Sequence, residues 1–188
     1  ISQEANRLRG IVNKILSFSK MEAGKIRYNL EKSDLNEIVE EVLKSYSFHL
    51  KNKNFEYTFE ACSDLPEIQS DKDALSEAII NLIDNAIKYS NGEKRIELHT
   101  GVDSGYAYFE VVDYGIGISR MDQKNVFDKF YRVPSGAIHN TKGTGLGLTL
   151  VKHIMEAHGG KIELVSQVGK GSSFRLKFPL NSQSPIHI

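Results

Sequence analysis

The stretch Asn81-Leu82-Ile83-Asp84-Asn85-Ala86-Ile87-Lys88-Tyr89 ends a run in which Leu75, Ala78, Ile79, Leu82, Ile83 and Ala86 recur every three or four positions. That is the period of an α-helix with one buried face. Ser70, with Asp73 three residues on, has the pattern of a capping box that opens it. Asn81, Asn85 and Lys88 lie at i, i+4 and i+7, so they share a face of their own. Two amides and an ammonium have little use in a core. They suit a polyphosphate with its metal, because an amide oxygen can ligate Mg²⁺ and Lys can neutralise phosphate charge. A merely solvated face has the same spacing, and the helix alone does not choose.

Outward from this helix the pattern alternates between two periods. Ile26, Tyr28 and Leu30 alternate as a strand does. Asp34 with Glu37 predicts an N-cap, ahead of a helix with Leu35, Ile38, Val39, Val42, Leu43 and Tyr46 on one face. Phe55, Tyr57 and Phe59 alternate again, and Asp64-Leu65-Pro66 marks a turn. Strands are expected near 94–100 and 106–112, a helix near 145–158 and a hairpin at 161–167 and 172–178. Grouped hairpins with intervening helices predict an α+β domain over 25–180, a mixed-sheet sandwich with helices on one face of the sheet. One long amphipathic helix precedes it over 1–24. Its seam is Ile1, Ala5, Leu8, Val12 and Ile15, widened by Ile11, Leu16 and Phe18. Such a seam needs a partner helix, and folding back on its own domain is the alternative. Gly24 is the expected stop, and the helix or its partner is expected to continue ahead of residue 1. The polar, Pro-containing tail 181–188 is expected to be linker.

Composition narrows the function classes. Lys plus Arg and Asp plus Glu are both 24, and the zero net charge excludes a broad basic field for nucleic acid. The single cysteine, Cys62, excludes an internal disulfide framework and fits a reducing compartment. No apolar run approaches the ~20 residues of a membrane span. These residues are therefore expected in the cytoplasm, although the parent protein can still be membrane-anchored.

Two further stretches carry chemistry. Asp113-Tyr114-Gly115-Ile116-Gly117-Ile118 follows the apolar strand at 108–112. A carboxylate there can accept the exocyclic amine of adenine and would reject the carbonyl of guanine. Glycines let the backbone come close to the base. A strand-ending turn capped by its own Asp fits the same residues. Lys142-Gly143-Thr144-Gly145-Leu146-Gly147-Leu148 runs into the helix with Leu150, Val151, Ile154 and Met155. Glycines before a helix N-terminus present free amide donors to an anion, and a flexible connector has similar composition. No Gly-Lys-Ser/Thr occurs, so this is not a Walker loop. Leu148 stands where a dinucleotide fingerprint needs its third Gly.

In this order the three elements resemble the catalytic domain of two-component sensor histidine kinases, within the ATPase superfamily that includes gyrase and Hsp90-type chaperones. Residues 81–89 are similar to the family's N box, 113–118 to its G1 box and 143–148 to its G2 box. Phe127-Asp128-Lys129-Phe130-Tyr131-Arg132 resembles the F box, and Gly169-Lys170-Gly171-Ser172-Ser173-Phe174 the motif near the C-terminus. The likeness spans about residues 1–180, because Arg7-Leu8 to Glu22-Ala23-Gly24-Lys25 is similar to the second helix of the dimerisation hairpin.

The resemblance implies that the chain binds Mg-ATP and passes the γ-phosphoryl group to a histidine on the dimerisation helix. Asp113 would read adenine with Gly115, Gly117 and Ile118 around it, and the Tyr89 ring would border the base. Asn85, joined by Asn81, would hold Mg²⁺. Lys88 and Arg132 would meet phosphate oxygens as the catalytic cations. Phe130, Lys142, Gly143, Thr144, Gly145, Leu146, Gly147, Leu148 and Ser172 complete the implied nucleotide site, and 127–142 would be its lid. Implied partners are the phosphoacceptor helix, a response-regulator receiver domain and a second copy in a homodimer. Tyr114 departs from the pattern, since a small polar residue is more usual there, and it is expected to alter the pocket wall.

Two readings follow from the match. Hydrolytic relatives place a Glu base where this chain has Asn81, and an amide cannot take a proton from water. None of the six histidines lies in a His-Glu/Asp-Leu-Arg-type acceptor motif. His153 and His158 are five apart, about 140° around a helix, so they are not a zinc pair. A capping role is expected for His158.

Overall fold

The computed structural model describes residues 3–90, 92–133 and 144–180. Helix α1 spans Gln3–Glu22. Strand β1 (Glu31–Ser33), helix α2 (Leu35–Asn52), strands β2 (Glu56–Glu60) and β3 (Ile68–Ser70) and helix α3 (Lys72–Tyr89) follow. The chain continues through β4 (Arg95–Asp103), β5 (Tyr106–Asp113), helix α4 (Gly147–Ala157), β6 (Lys161–Gln167) and β7 (Gly171–Pro179). Five strands form one sheet in the order β2-β4-β5-β7-β6, while β1 and β3 form a separate antiparallel pair. Only β2 and β4 run parallel; the other neighbours in the large sheet are antiparallel. This is the mixed α+β sandwich that the alternating periods predict.

Alternation along β5 decides the two faces. Ala107, Phe109, Val111 and Asp113 point inward and are buried. The three apolar ones join Ile38, Val39, Leu75, Ile79, Leu82, Val151 and Ile154 from α2, α3 and α4 in one apolar core. The opposite face carries Glu97, His99, Glu110 and Arg175, as a sheet face without helices requires. Asp113 thus ends the central strand on the helix-covered side.

Local signals explain most element ends. Asp34 caps α2, its carboxylate accepting from the N–H groups of Asn36 and Glu37. Gly24 ends α1 at φ 62, with Lys25 N–H donating to the Lys20 carbonyl and Gly24 N–H to that of Met21, a Schellman closure. Two expectations are corrected. The cap of α3 is Asp71, which accepts from Ala74 N–H, and Ser70 instead closes β3. The strand begins at Glu31 rather than at Ile26, because Asn29 N–H is taken by the Asp71 carboxylate at 2.9 Å and only Glu31–Ser33 pair with β3.

Helix α1 leaves Leu8, Val12, Ile15 and Leu16 about half exposed, whereas Phe18 and Met21 are buried against the domain. Burying each of those two is worth about 1.5–3 kcal/mol. The exposed Lys129–Glu22 ion pair beside them adds at most about 1 kcal/mol, so apolar packing seats the end of α1. Among the described residues, no helix is long and apolar enough to cross a membrane.

Candidate functional site

A cavity of about 530 Å³ lies between α3 and the segment leading into α4. Asn81, Asn85, Lys88 and Tyr89 line one side, and Thr144, Gly145, Gly147 and Leu148 line the other. The face predicted on α3 and the glycine loop therefore meet across one space. Leu146 is buried in the core beneath the loop, and Lys142 and Gly143 fall outside the described residues, as do 134–141 of the expected lid.

The helix α3 face is differentiated along its length. Asn81 is buried and its Nδ2 donates to the Glu77 carbonyl at 2.8 Å. Its Oδ1 is 3.1 Å from the point where a Cβ on Gly147 would stand, so Gly147 lets the two helices approach there. Asn85 and Lys88 are half-buried at the cavity wall. The Lys88 ammonium lies 4.7 Å over the Tyr89 ring and donates to its hydroxyl at 3.0 Å, keeping the charge at the cavity edge.

Across the cavity, α4 begins at the N-cap Leu146, which offers no side-chain acceptor. Its first N–H donors and the positive end of the dipole have no side-chain cap. Both cavity-wall helices are tied together at their far ends by His158. Its Nε2 accepts from Asp71 N–H at 2.9 Å, which fixes the tautomer, and Nδ1–H donates to the Ile154 carbonyl at 2.7 Å. Burial pushes the imidazole below its ordinary value, against these bonds. The expected capping role for His158 thus joins the start of α3 to the end of α4. His153 and His158 both lie against the Tyr28 ring, and no group of three metal-binding side chains exists among the described residues.

The other predicted positions are one layer away. Asp113 is buried, and its Oδ1 accepts from Gly115 N–H at 2.9 Å. Burial pushes its carboxyl up, while bonds from Gly115 and Ser172 pull it down. Ser172 stands opposite Asp113 in the β5–β7 register and its Oγ is 3.0 Å from that of Ser166. Gly117 has φ 67, and a Cβ there would stand 2.0 Å from the Gln167 carbonyl, so this turn accepts only Gly. Ile118 is half-buried and its N–H donates to Ser166 Oγ. The turn does not itself line the cavity. It reaches it through Tyr89, whose carbonyl accepts from Ile116 N–H at 3.0 Å.

Arg132 and Phe130 are both exposed, and neither lines the cavity. The Phe130 ring packs edge-on to Phe18 of α1, with centroids 6.1 Å apart. Tyr114 lies on the outer face of the sheet, so it does not alter the pocket wall as expected from its size. Sequence reasoning missed most of the far wall of the cavity, formed by His49 in the last turn of α2, Lys53 and Phe55 just after it and Lys94, beside Tyr131 of the F-box-like stretch. Basic residues at a helix C-terminus are ordinary complements of the dipole, so no local signal marked them. Asp84 also lines the cavity, and its carboxylate accepts from the Tyr46 hydroxyl, a bond that together with burial pushes the phenol well up.

Residues 70–182 match the family described as histidine kinase-, DNA gyrase B-, and HSP90-like ATPase. Sensor protein RprX of Bacteroides fragilis is 35% identical over 182 residues, covering 96% of this chain and 35% of that protein. Histidine kinase P4 of Formosa agariphila is 34% identical over 186 residues, covering 96% and 13%. The chain therefore spans only about a third of the first and about an eighth of the second. Among solved structures, Acinetobacter baumannii histidine kinase AdeS superposes with a TM-score of 0.75 at 28% identity, over 95% of this chain and 81% of that one. Full-length ShkA, solved in complex with AMPPNP, gives 0.80 at 26% identity over 94% and 36%.

Proposed function

The chain belongs to the histidine kinase-, DNA gyrase B- and HSP90-like ATPase family, and from that premise we propose that it is the ATP-binding catalytic part of a sensor histidine kinase. The observation that carries the reading is one cavity in which the Asn81, Asn85 and Lys88 face of α3 confronts the N-terminus of α4, which has no side-chain cap. One wall supplies amide oxygens and an ammonium, the other supplies free N–H donors. That donor set fits a triphosphate with its metal.

Within this reading each residue has a chemical task. Asp113 accepts the adenine amine. Burial pushes its carboxyl up, and the Gly115 and Ser172 bonds, which favour the carboxylate, offset part of that cost. Lys88 and Arg132 meet the phosphates, and the donors at the start of α4 take the remaining oxygens. Asn85 is the metal ligand, standing half-buried at the cavity wall, whereas Asn81 is buried beneath it. Mg²⁺ would spread the charge developing between the β- and γ-phosphates. Asn81 holds no base for water, which favours transfer to a neutral imidazole over hydrolysis. The acceptor is a histidine in the phosphoacceptor motif of the dimerisation hairpin, of which residues 1–24 are the second helix, 25–180 being the ATP-binding domain. A receiver domain, a second copy of the protein, and a cytoplasmic setting beneath a membrane-anchored parent belong to the same proposal.

The test joins the phosphoacceptor helix to this chain, supplies labelled ATP and Mg²⁺, and assays bound label for stability in base and lability in acid. Such label is expected on the joined protein and absent from residues 1–188 alone. Steady phosphate release by the chain without any acceptor would instead favour an ATP-hydrolysing relative.

A further inference from the structure

The turn carrying Asp113 is held from three sides. From within, Ile116 N–H donates to the Tyr89 carbonyl of α3 at 3.0 Å. From the β6–β7 hairpin, Ser166 Oγ accepts from Ile118 N–H at 2.8 Å, and Gly169 N–H donates to the Ile116 carbonyl at 2.8 Å. The third hold is on the outer face of the sheet and belongs to Tyr114. Its hydroxyl donates to Glu97 Oε1 at 2.7 Å, and the Arg95 guanidinium lies 4.3 Å over its ring. Arg95 in turn pairs with Glu97 at 3.3 Å and with Glu93 at 3.1 Å, so the ring is enclosed between groups already fixed to β4.

Register gives this contact its consequence. Glu97 stands opposite Val112, and Ile96 opposite Asp113, which leaves Tyr114 level with Arg95 just beyond the ladder. Successive side chains of a strand point to opposite faces. Whatever fixes residue 114 outward therefore fixes residue 113 inward. Asp113 is paired on both sides, with Ile96 and with Ser172, but it is the last residue of the ladder and the chain turns away directly after it. Tyr114 adds a constraint at that point, on the outer face, through a ring stack and a hydrogen bond to a carboxylate.

We infer that Tyr114 is a positioning residue for base recognition, a peg on the outer face of the sheet that holds the Asp113 carboxylate toward the nucleotide. The inference rests on the proposed reading of Asp113 as the acceptor of the adenine amine. It assigns to the outer face of the sheet a part in nucleotide selection, although no residue there touches the nucleotide.

The test compares the binding of ATP and of inosine triphosphate, which carries a carbonyl in place of the amine, by calorimetry on the whole chain with Mg²⁺. Tyr114→Ser is expected to weaken ATP binding about tenfold and leave inosine triphosphate within about twofold, because only the amine bond is loosened. Tyr114→Phe keeps the stack and loses the hydrogen bond, so an intermediate ratio is expected, and it serves if the Ser variant does not fold. Glu97→Gln, which retains an acceptor, is expected to keep the ratio better than Glu97→Ala. A purely structural role would lower both affinities in step with the melting temperature. An unchanged ATP to inosine triphosphate ratio in folded Tyr114→Ser or Tyr114→Phe overturns the inference. Asp113→Asn in the same assay separates the two ideas. If it shifts the ratio and the Tyr114 variants do not, only the peg fails. If it shifts nothing, the base-reading assignment and the peg fall together.

Discussion

The turn at 113–118 and the loop entering α4 are both glycine-rich, yet they are finished differently. In the turn, polar groups are already bonded: Asp113 to Gly115, Ile116 to Tyr89, Ile118 to Ser166 and Tyr114 to Glu97. In the loop, the N-cap Leu146 supplies no side-chain acceptor to the first donors of the helix. On the proposed reading, a base acceptor must be held in a fixed place, which suits surroundings whose polar groups are already bonded. Gripping phosphate needs several donors that nothing else has taken. Similar composition thus serves a closed element and an open one.

The contrast should break most at Asp113. Asp113→Asn keeps the shape but makes donor and acceptor ambiguous, and is expected to cost about 1–3 kcal/mol of ATP binding by calorimetry. Stability should move the other way. Burial raises this carboxyl, so between its ordinary and raised values the folded chain binds more protons than the unfolded one, and stability falls as pH rises through that window. The Asn variant should therefore melt no lower than the parent at neutral pH without nucleotide. Unchanged ATP affinity would sink the assignment of Asp113.

On the open side, Asn85→Ala should cost about 1–2 kcal/mol of ATP binding with Mg²⁺ present and far less in chelator. Equal losses under both conditions would make Asn85 structural. Gly147→Ala sharpens the contrast further. A Cβ there meets Asn81 Oδ1 at 3.1 Å, so the amide must give way, while alanine at this first helical position recovers only part of the about 1 kcal/mol that it gains over Gly in a helix interior. A severalfold loss of ATP affinity at an unchanged melting temperature is expected. Full affinity would show that the close approach of the loop to α3 is dispensable.

The smallest effect concerns the tie behind both elements. His158 is held neutral by burial, so below its ordinary value the unfolded chain binds the extra proton and stability falls as pH drops toward the depressed folded value. Urea midpoints should decline from pH 7 to pH 5, and His158→Ala should be less stable but flatter over that range. An equal slope in the variant would remove His158 as the cause.

How much of this was legible in the residues follows from the range of each interaction. The α3 face was, because Asn81, Asn85 and Lys88 are brought together by helix pitch alone. The family likeness was, because its five motifs are local strings in a fixed order. The α3 cap was misread by one residue, since Ser70 and Asp71 can both cap and only the β1–β3 ladder decides which is free.

Sequence by itself determined most of the elements, the sandwich and the residues that could serve ATP, because hydrophobic period, caps and glycines act within a few residues of one another; the short β1–β3 pair, held by long-range contact, it did not. Tertiary structure decided which surfaces those residues meet. It set Phe130 against Phe18, brought His49 of α2 and Lys53 and Phe55 just after it to the cavity's far wall, and sent Tyr114 to the outer face of the sheet. Each of those outcomes is a contact between segments far apart in the chain. A local pattern states that a side chain will be covered or exposed, and only the packed fold states by what.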